Sequence, residues 1–164
     1  MMKHFDIRIA LLFILLILSR VTLATSPLDV ALSNFQNGKY DAALEDFRTL
    51  HSESPEDPDL TFYLARSLYR KLELKTAQTL LTKSLKAYPD HVESHYLLGS
   101  VQLSLVPEVN IFRKASLAKK SVNSWEQAVE LDPSHAEALY GVASFYSSAP
   151  AIVGGDKNLG EEKI

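Results

Sequence analysis

Along most of the chain apolar side chains recur three and four positions apart, and the recurrence breaks at Pro55, Pro89 and Pro133. Aligned on those prolines, three stretches read PEDPDLTFYLA, PDHVESHYLLG and PSHAEALYGVA. Four residues after each proline stands an acid (Asp59, Glu93, Glu137), and seven after it an aromatic (Phe62, Tyr96, Tyr140). Ten after it comes a small residue (Ala65, Gly99, Ala143). The preceding segments agree too: a small residue twelve before (Ala43, Ala77, Ser121) and a bulky one eight before (Phe47, Leu81, Trp125). Leu64, Leu68, Ala77, Leu80, Leu81 and Leu85, with their equivalents, trace two amphipathic helices per unit. The prolines fall where a second helix must stop, and Asn37-Gly38 supplies a turn inside the first unit.

Small residues where helices cross let backbones approach, and a large side chain on the neighbour fills the remaining gap. Neither helix of a pair buries its stripe alone, so the units must stack into a continuous core. The predicted fold is all-α: helix-turn-helix repeats stacked as an α-solenoid of about three and a half units. The prolines are 34 residues apart in the first interval and 44 in the second, which is the same period with an insertion of ten.

YLLG at 96–99, NGKYDAALEDF at 37–47 and WEQAVELDP at 125–133, at a 34-residue period, resemble the tetratricopeptide repeat family. The resemblance spans residues 26–148, followed by a loop and the start of an incomplete final helix over 149–164. It implies a protein-binding scaffold, since this fold serves mainly to present surfaces. Two departures stand out: Leu72 replaces the usual turn glycine of the second unit, and the third carries the insertion near 105–118.

The first 24 residues follow a different rule. Lys3 and Arg8 precede ten apolar residues, Ile9 to Leu18, followed by VTLATSP. A basic start, a short apolar centre and Thr22-x-Ala24 predict a secretory signal peptide over 1–24, with an uncleaved membrane anchor as the alternative. Ten apolar residues are short of the roughly 20 that a membrane span needs. The predicted location is therefore outside the cytoplasm, in the bacterial periplasm. No cysteine is present, which rules out disulfides and thiolate chemistry. The chain holds 17 basic and 20 acidic residues; setting aside Lys3, Arg8, Arg20 and Asp6 leaves 14 and 19, a net charge of −5. That balance argues against a nucleic-acid partner.

His91 and His95 lie four apart, a spacing at which imidazoles on a helix can share a zinc ion. His91, however, occupies the same place as Asp57 and His135, a solvent-facing joint, whereas His95 corresponds to Thr61 and Leu139 on the packed stripe. No metal site or cofactor is predicted. With no partnered nucleophile or paired carboxylates in a recognisable motif, no catalytic residue is predicted and an enzyme is disfavoured. A metal-dependent enzyme is the last of the alternatives.

The inner wall of such an array is made by the first helix of each unit. The stripe that should face it comprises Asp59, Phe62, Arg66 and Tyr69, then Glu93, Tyr96, Ser100 and Leu103, then Glu137, Tyr140, Ser144 and Ser147. Rings beside serines and an arginine suit an extended or helical peptide, or else the rings simply pack between helices. The carboxylate clamp known in one branch of the resembled family is absent, because its positions hold Phe62, Tyr96, Tyr140, Arg66, Ser100 and Ser144. Ile111, Ala115, Ala118, Val122, Trp125 and Val129 continue a helical stripe into the insertion, leaving Arg113, Lys114, Lys119 and Lys120 as a solvated basic face. The loops around Pro107 and Pro150 should project from one edge. Gly154-Gly155 reads as a turn, and Asn158 with Glu161 as a capping box. The short last helix leaves Leu139, Val142, Ala143 and Tyr146 for a partner to cover, which makes self-association a second functional reading.

Overall fold

The computed structural model describes residues 25–151 and 154–162, so the predicted signal segment 1–24 lies outside the described residues. Eight α-helices follow one another among the described residues: α1 (Pro27–Gln36), α2 (Tyr40–Glu53), α3 (Pro58–Arg70), α4 (Leu74–Ala87), α5 (Val92–Leu105), α6 (Ile111–Leu131), α7 (Ala136–Ser148) and α8 (Lys157–Glu162). A 3-10 turn, Val106–Glu108, separates α5 from α6. No strand occurs among the described residues. The fold is an all-α solenoid of helix pairs in which each helix packs on its neighbours along the chain.

The prolines mark one recurring joint. Ser54, Tyr88 and Asp132 each end a second helix outside the helical region, with φ of −139°, −127° and −134° and ψ of 71°, 69° and 95°. A residue before proline is pushed out of that region by the pyrrolidine ring. Each then closes a four-residue turn with proline at its second position, accepting from Asp57, His91 or His135 N–H at 3.1–3.3 Å. Those same three residues cap the next helix. The Asp57 carboxylate accepts from the N–H groups of Asp59 and Leu60, and Nδ1 of His91 and His135 accepts from Ser94 and Ala138 N–H at 3.2 Å. At the last joint Ser134 donates from both hydroxyl and backbone to Asp132, holding that carboxyl below its ordinary range. His135 departs from the expected solvent-facing joint. It is only 8% exposed, because the ring of Tyr96 packs 4.9 Å from it.

The turns within units share another geometry. Gly38 N–H donates to Phe35 O and Lys39 N–H to Asn34 O, and Leu72 N–H donates to Tyr69 O and Glu73 N–H to Leu68 O. Both are Schellman closures, which need a left-handed residue just past the helix. Gly38 meets that need freely at φ 74°, and Leu72 meets it at φ 61° with its side chain 77% exposed. The third unit has no such closure: the insertion replaces it with the 3-10 turn and lengthens α6 to 21 residues against 14 for α2 and α4.

The core follows the repeat register. Ala43, Ala77 and Ser121, Phe47, Leu81 and Trp125, and Ala65 and Ala143 are all at most 6% exposed. Trp125 is gripped from two sides. A Cβ on Gly99 would lie 2.6 Å from Trp125 Cδ1 and Nε1, and one on Gly141 would lie 2.8 Å from Cδ2. The indole N–H donates to Tyr96 O at 3.1 Å, and Ser121 Oγ donates to Gly99 O at 2.8 Å. On α7, Tyr146 donates to Glu126 at 2.7 Å; burial, then that carboxylate, raises its hydroxyl to about 12. The final helix begins differently from the expected Asn158–Glu161 capping box. Asp156 caps it, accepting from the N–H groups of Asn158 and Leu159, because a carboxylate two positions earlier already meets those orphan donors.

Two substitutions test this account by denaturant unfolding. Leu72→Gly should stabilise the protein by about 1 kcal/mol, since a non-glycine residue pays roughly 1–2 kcal/mol in the left-handed region and glycine loses some of that gain to backbone entropy. Gly99→Ala should destabilise it by about 1–3 kcal/mol through overpacking, although the same change in an open helix gains about 1 kcal/mol. A shifted Trp125 emission spectrum should accompany the loss.

Candidate binding groove

The first helices of the units form a concave wall with two cavities that meet at Tyr96 and Ser100. The first, about 560 Å3, runs from α1 across α3 to α5. Its walls include Phe35, Tyr40, Tyr63, Arg66, Tyr69 and Arg70. The Arg66 guanidinium lies 5.0 Å from the Phe35 ring centre and 5.8 Å from that of Phe62, and Arg70 lies 4.6 Å over Tyr40, whose hydroxyl it also contacts. Stacking on rings fixes these planar cations without neutralising them, as no carboxylate lines this cavity. Tyr69 meets Ser104 across the helices at 3.3 Å.

The second cavity, about 440 Å3, is more apolar. Trp125, Phe145 and Ala118 form its floor, Leu103 and Tyr140 its walls, and Ser144 and Glu137 its polar margin. Leu103 is 45% exposed and Tyr140 76%. Large apolar side chains exposed together around a concave surface are what a binding site requires.

The residues of the expected stripe divide into three groups. Arg66, Tyr69, Tyr96, Ser100, Leu103, Glu137, Tyr140 and Ser144 line the two cavities. Ser147, which lies against Gly160, and Phe62 do not. Phe62 is 6% exposed and belongs to the core, packed beside Tyr63 and His91, so the packing reading holds for this ring. Asp59 and Glu93 are occupied at the joints. Asp59 lies 3.1 Å from His91 Nε2, and Glu93 lies 3.5 Å from His135 Nε2. With Nδ1 of each ring accepting a backbone N–H, the proton of the neutral imidazole sits on Nε2, the nitrogen beside the acid of the preceding unit. The Asp59 contact is a hydrogen bond; the Glu93 contact is too long and oblique for one, so His135 Nε2 is buried without a bonded partner among the described residues. The same histidines pack on the aromatic of the preceding unit, His91 on Phe62 and His135 on Tyr96. Tyr140 has no such ring over it among the described residues.

The two-histidine segment does not form a shared face. His91 is engaged by Ser94 and Asp59, while His95 Nε2 contacts Pro89 O at 2.7 Å. Among the described residues no three histidines or carboxylates gather as metal ligands. Groove-lining residues outside the expected stripe include Phe35, Tyr40, Tyr63 and Arg70 in the first cavity and Trp125 and Phe145 in the second. Tyr63 and Arg70 come one residue after Phe62 and Tyr69.

Known proteins share this architecture. The family model for the tetratricopeptide repeat matches residues 34–101. A thermophilic tetratricopeptide protein of Thermus thermophilus superposes with a TM-score of 0.72 at 20% identity, covering 84% of this chain and 69% of that one. MamA from Desulfovibrio magneticus RS-1 aligns over 84% of this chain and 88% of its own at 17% identity, with a TM-score of 0.45 too low to bear on the fold. A comparison with curated proteins gives no match. Residues 34–101 are thus similar to the tetratricopeptide repeat, and the fold of the described residues is that of the Thermus protein. Proteins of that fold are in general non-enzymatic scaffolds for protein–protein interaction.

The joint makes a prediction of its own. His91→Ala should cost about 1 kcal/mol by loss of the cap, whereas His91→Asn, which keeps an acceptor at the cap and an N–H for Asp59, should recover most of it. Chemical denaturation of both variants decides the matter, and equal losses would show that the ring's packing, not its cap, is what counts.

Proposed function

We propose that this protein is a non-enzymatic scaffold that holds a peptide segment of a protein partner along its concave groove. The observation that carries this reading is the pairing of two cavities end to end. One is walled by tyrosines and ring-stacked arginines, and the other is floored by Trp125 and Phe145 with Tyr140 and Leu103 exposed at its rim. Tyrosine and arginine contribute most per residue to protein recognition, and an apolar pocket beside them anchors one large side chain. Backbone groups of an extended or helical segment would meet the hydroxyls of Ser100 and Ser144. The basic-apolar segment at residues 1–24 supports an exported protein working in the cell envelope, where it meets its partner either free or held by that segment.

Trp125 is the only tryptophan of the chain and floors the apolar cavity, so binding is readable from its own fluorescence. Peptides selected on the wild-type protein from a random display library should perturb Trp125 emission saturably. Tyr140→Ala with Leu103→Ala should weaken them at least tenfold without lowering the melting temperature by more than a few degrees. Selected peptides that bind the double variant equally well would remove the groove from the function and move attention to the projecting loops.

A further inference from the structure

A cavity of about 490 Å3 lies outside the groove, at the edge where the ten-residue insertion enters. Lys75 and Gln78 on α4 face Arg113, Ser116 and Lys120 on the first turns of α6, above the buried Leu105. None of the residues lining it is acidic, although acids outnumber bases in the chain by 20 to 17. The side chains of Lys75, Gln78, Arg113, Ser116 and Lys120 make no hydrogen bond or ion pair with any described residue. Arg48 and Lys71, by contrast, are paired with Glu45 and Asp41.

The charges also oppose the local helix fields. The first turn of a helix favours acids, since its N–H groups carry a net positive charge. Yet α4 and α6 have no acid in their first turns and place Lys75 and Arg113 there, Glu73 at the α4 N-cap being turned to Arg48 at 3.9 Å. Both are second helices of their units, and both supply side chains to the cavity. An anion seated between them would relieve this mutual repulsion. Arg113 offers a planar fork suited to two oxygens, and Lys75 and Lys120 supply point charges on either side. Gln78 and Ser116 add neutral donors, and Leu105 gives an apolar surface below.

We propose that this cleft binds a small organic phosphate, its phosphate group among Lys75, Arg113 and Lys120 and its apolar part over Leu105. The site stands on different residues from the peptide groove and does not depend on it. The test is a 1H–15N titration of the full chain with phenyl phosphate, alongside inorganic phosphate and phenol. Phenyl phosphate should saturate, shift the amides of Lys75, Gln78, Arg113 and Ser116, bind more tightly than inorganic phosphate, and weaken as salt is raised. Arg113→Gln with Lys120→Gln should weaken it at least tenfold, and Lys75→Gln, on the other helix, severalfold. Lys83→Gln with Lys86→Gln should leave it within twofold. Unsaturable shifts spread over all the lysines, unchanged affinity in the Arg113/Lys120 variant, or phenol binding as tightly would each overturn the proposal.

Discussion

The third unit and the groove depend on the seating of one indole. Trp125 enters a slot whose two sides are glycines on different helices, Gly99 of α5 and Gly141 of α7, and its N–H is satisfied by Tyr96 O. Three helices therefore meet at a distance that only hydrogen-sized side chains permit. The first two units reach the same end with smaller parts, Phe47 or Leu81 set among alanines. A larger knob at the third unit needs a larger hole, and the loss of two Cβ atoms provides it. The exchange leaves the indole at the bottom of a cavity open to solvent, so the same contact that closes the core also forms the groove's apolar end.

Around that contact, the joints set the curvature. Each proline keeps the residue before it out of the helical region and turns the chain through a single hydrogen-bonded turn, and each capping residue starts the next helix in the same register. Using histidine as the cap at two joints adds a link that aspartate at Asp57 does not have. A ring can accept from the helix through one nitrogen, address the preceding unit's acid through the other, and lie against the preceding unit's aromatic. The joint thereby fixes rotation between units as well as their order along the chain.

Sequence periodicity suffices for most of this, because small, bulky and capping positions have local causes that recur every 34 residues. It loses power wherever the outcome depends on the neighbouring unit. Phe62, Tyr96 and Tyr140 share a register, yet one is core, one half-buried and one exposed, since burial is set by the next unit's histidine ring rather than by the position itself. His135 is buried against expectation for the same reason. Gly141 gives no signal of its own because its equivalents are Tyr63 and Leu97, so it looks like an irregularity until Trp125 is seen against it. The cleft residues Lys75 and Arg113 are far apart in sequence. Only the shared polarity of α4 and α6 brings them together, and a basic run on α6 read alone is an ordinary solvated face.

The ten-residue insertion gives both cavities their form. By lengthening α6 at its N-terminus it creates a wall with two faces. Ala118 and Trp125 look into the groove, while Ser116, Leu117 and Lys120 look into the basic cleft. The adjoining end of α5 is divided likewise, with Leu103 toward the groove and Leu105 toward the cleft. A 34-residue unit closed by a Schellman turn, as at Gly38 and Leu72, has no chain to build such a wall. The departure from the repeat is therefore where this array acquires its individual surface, and it does so without disturbing the packing rule, because the extension simply carries the α6 stripe two turns further.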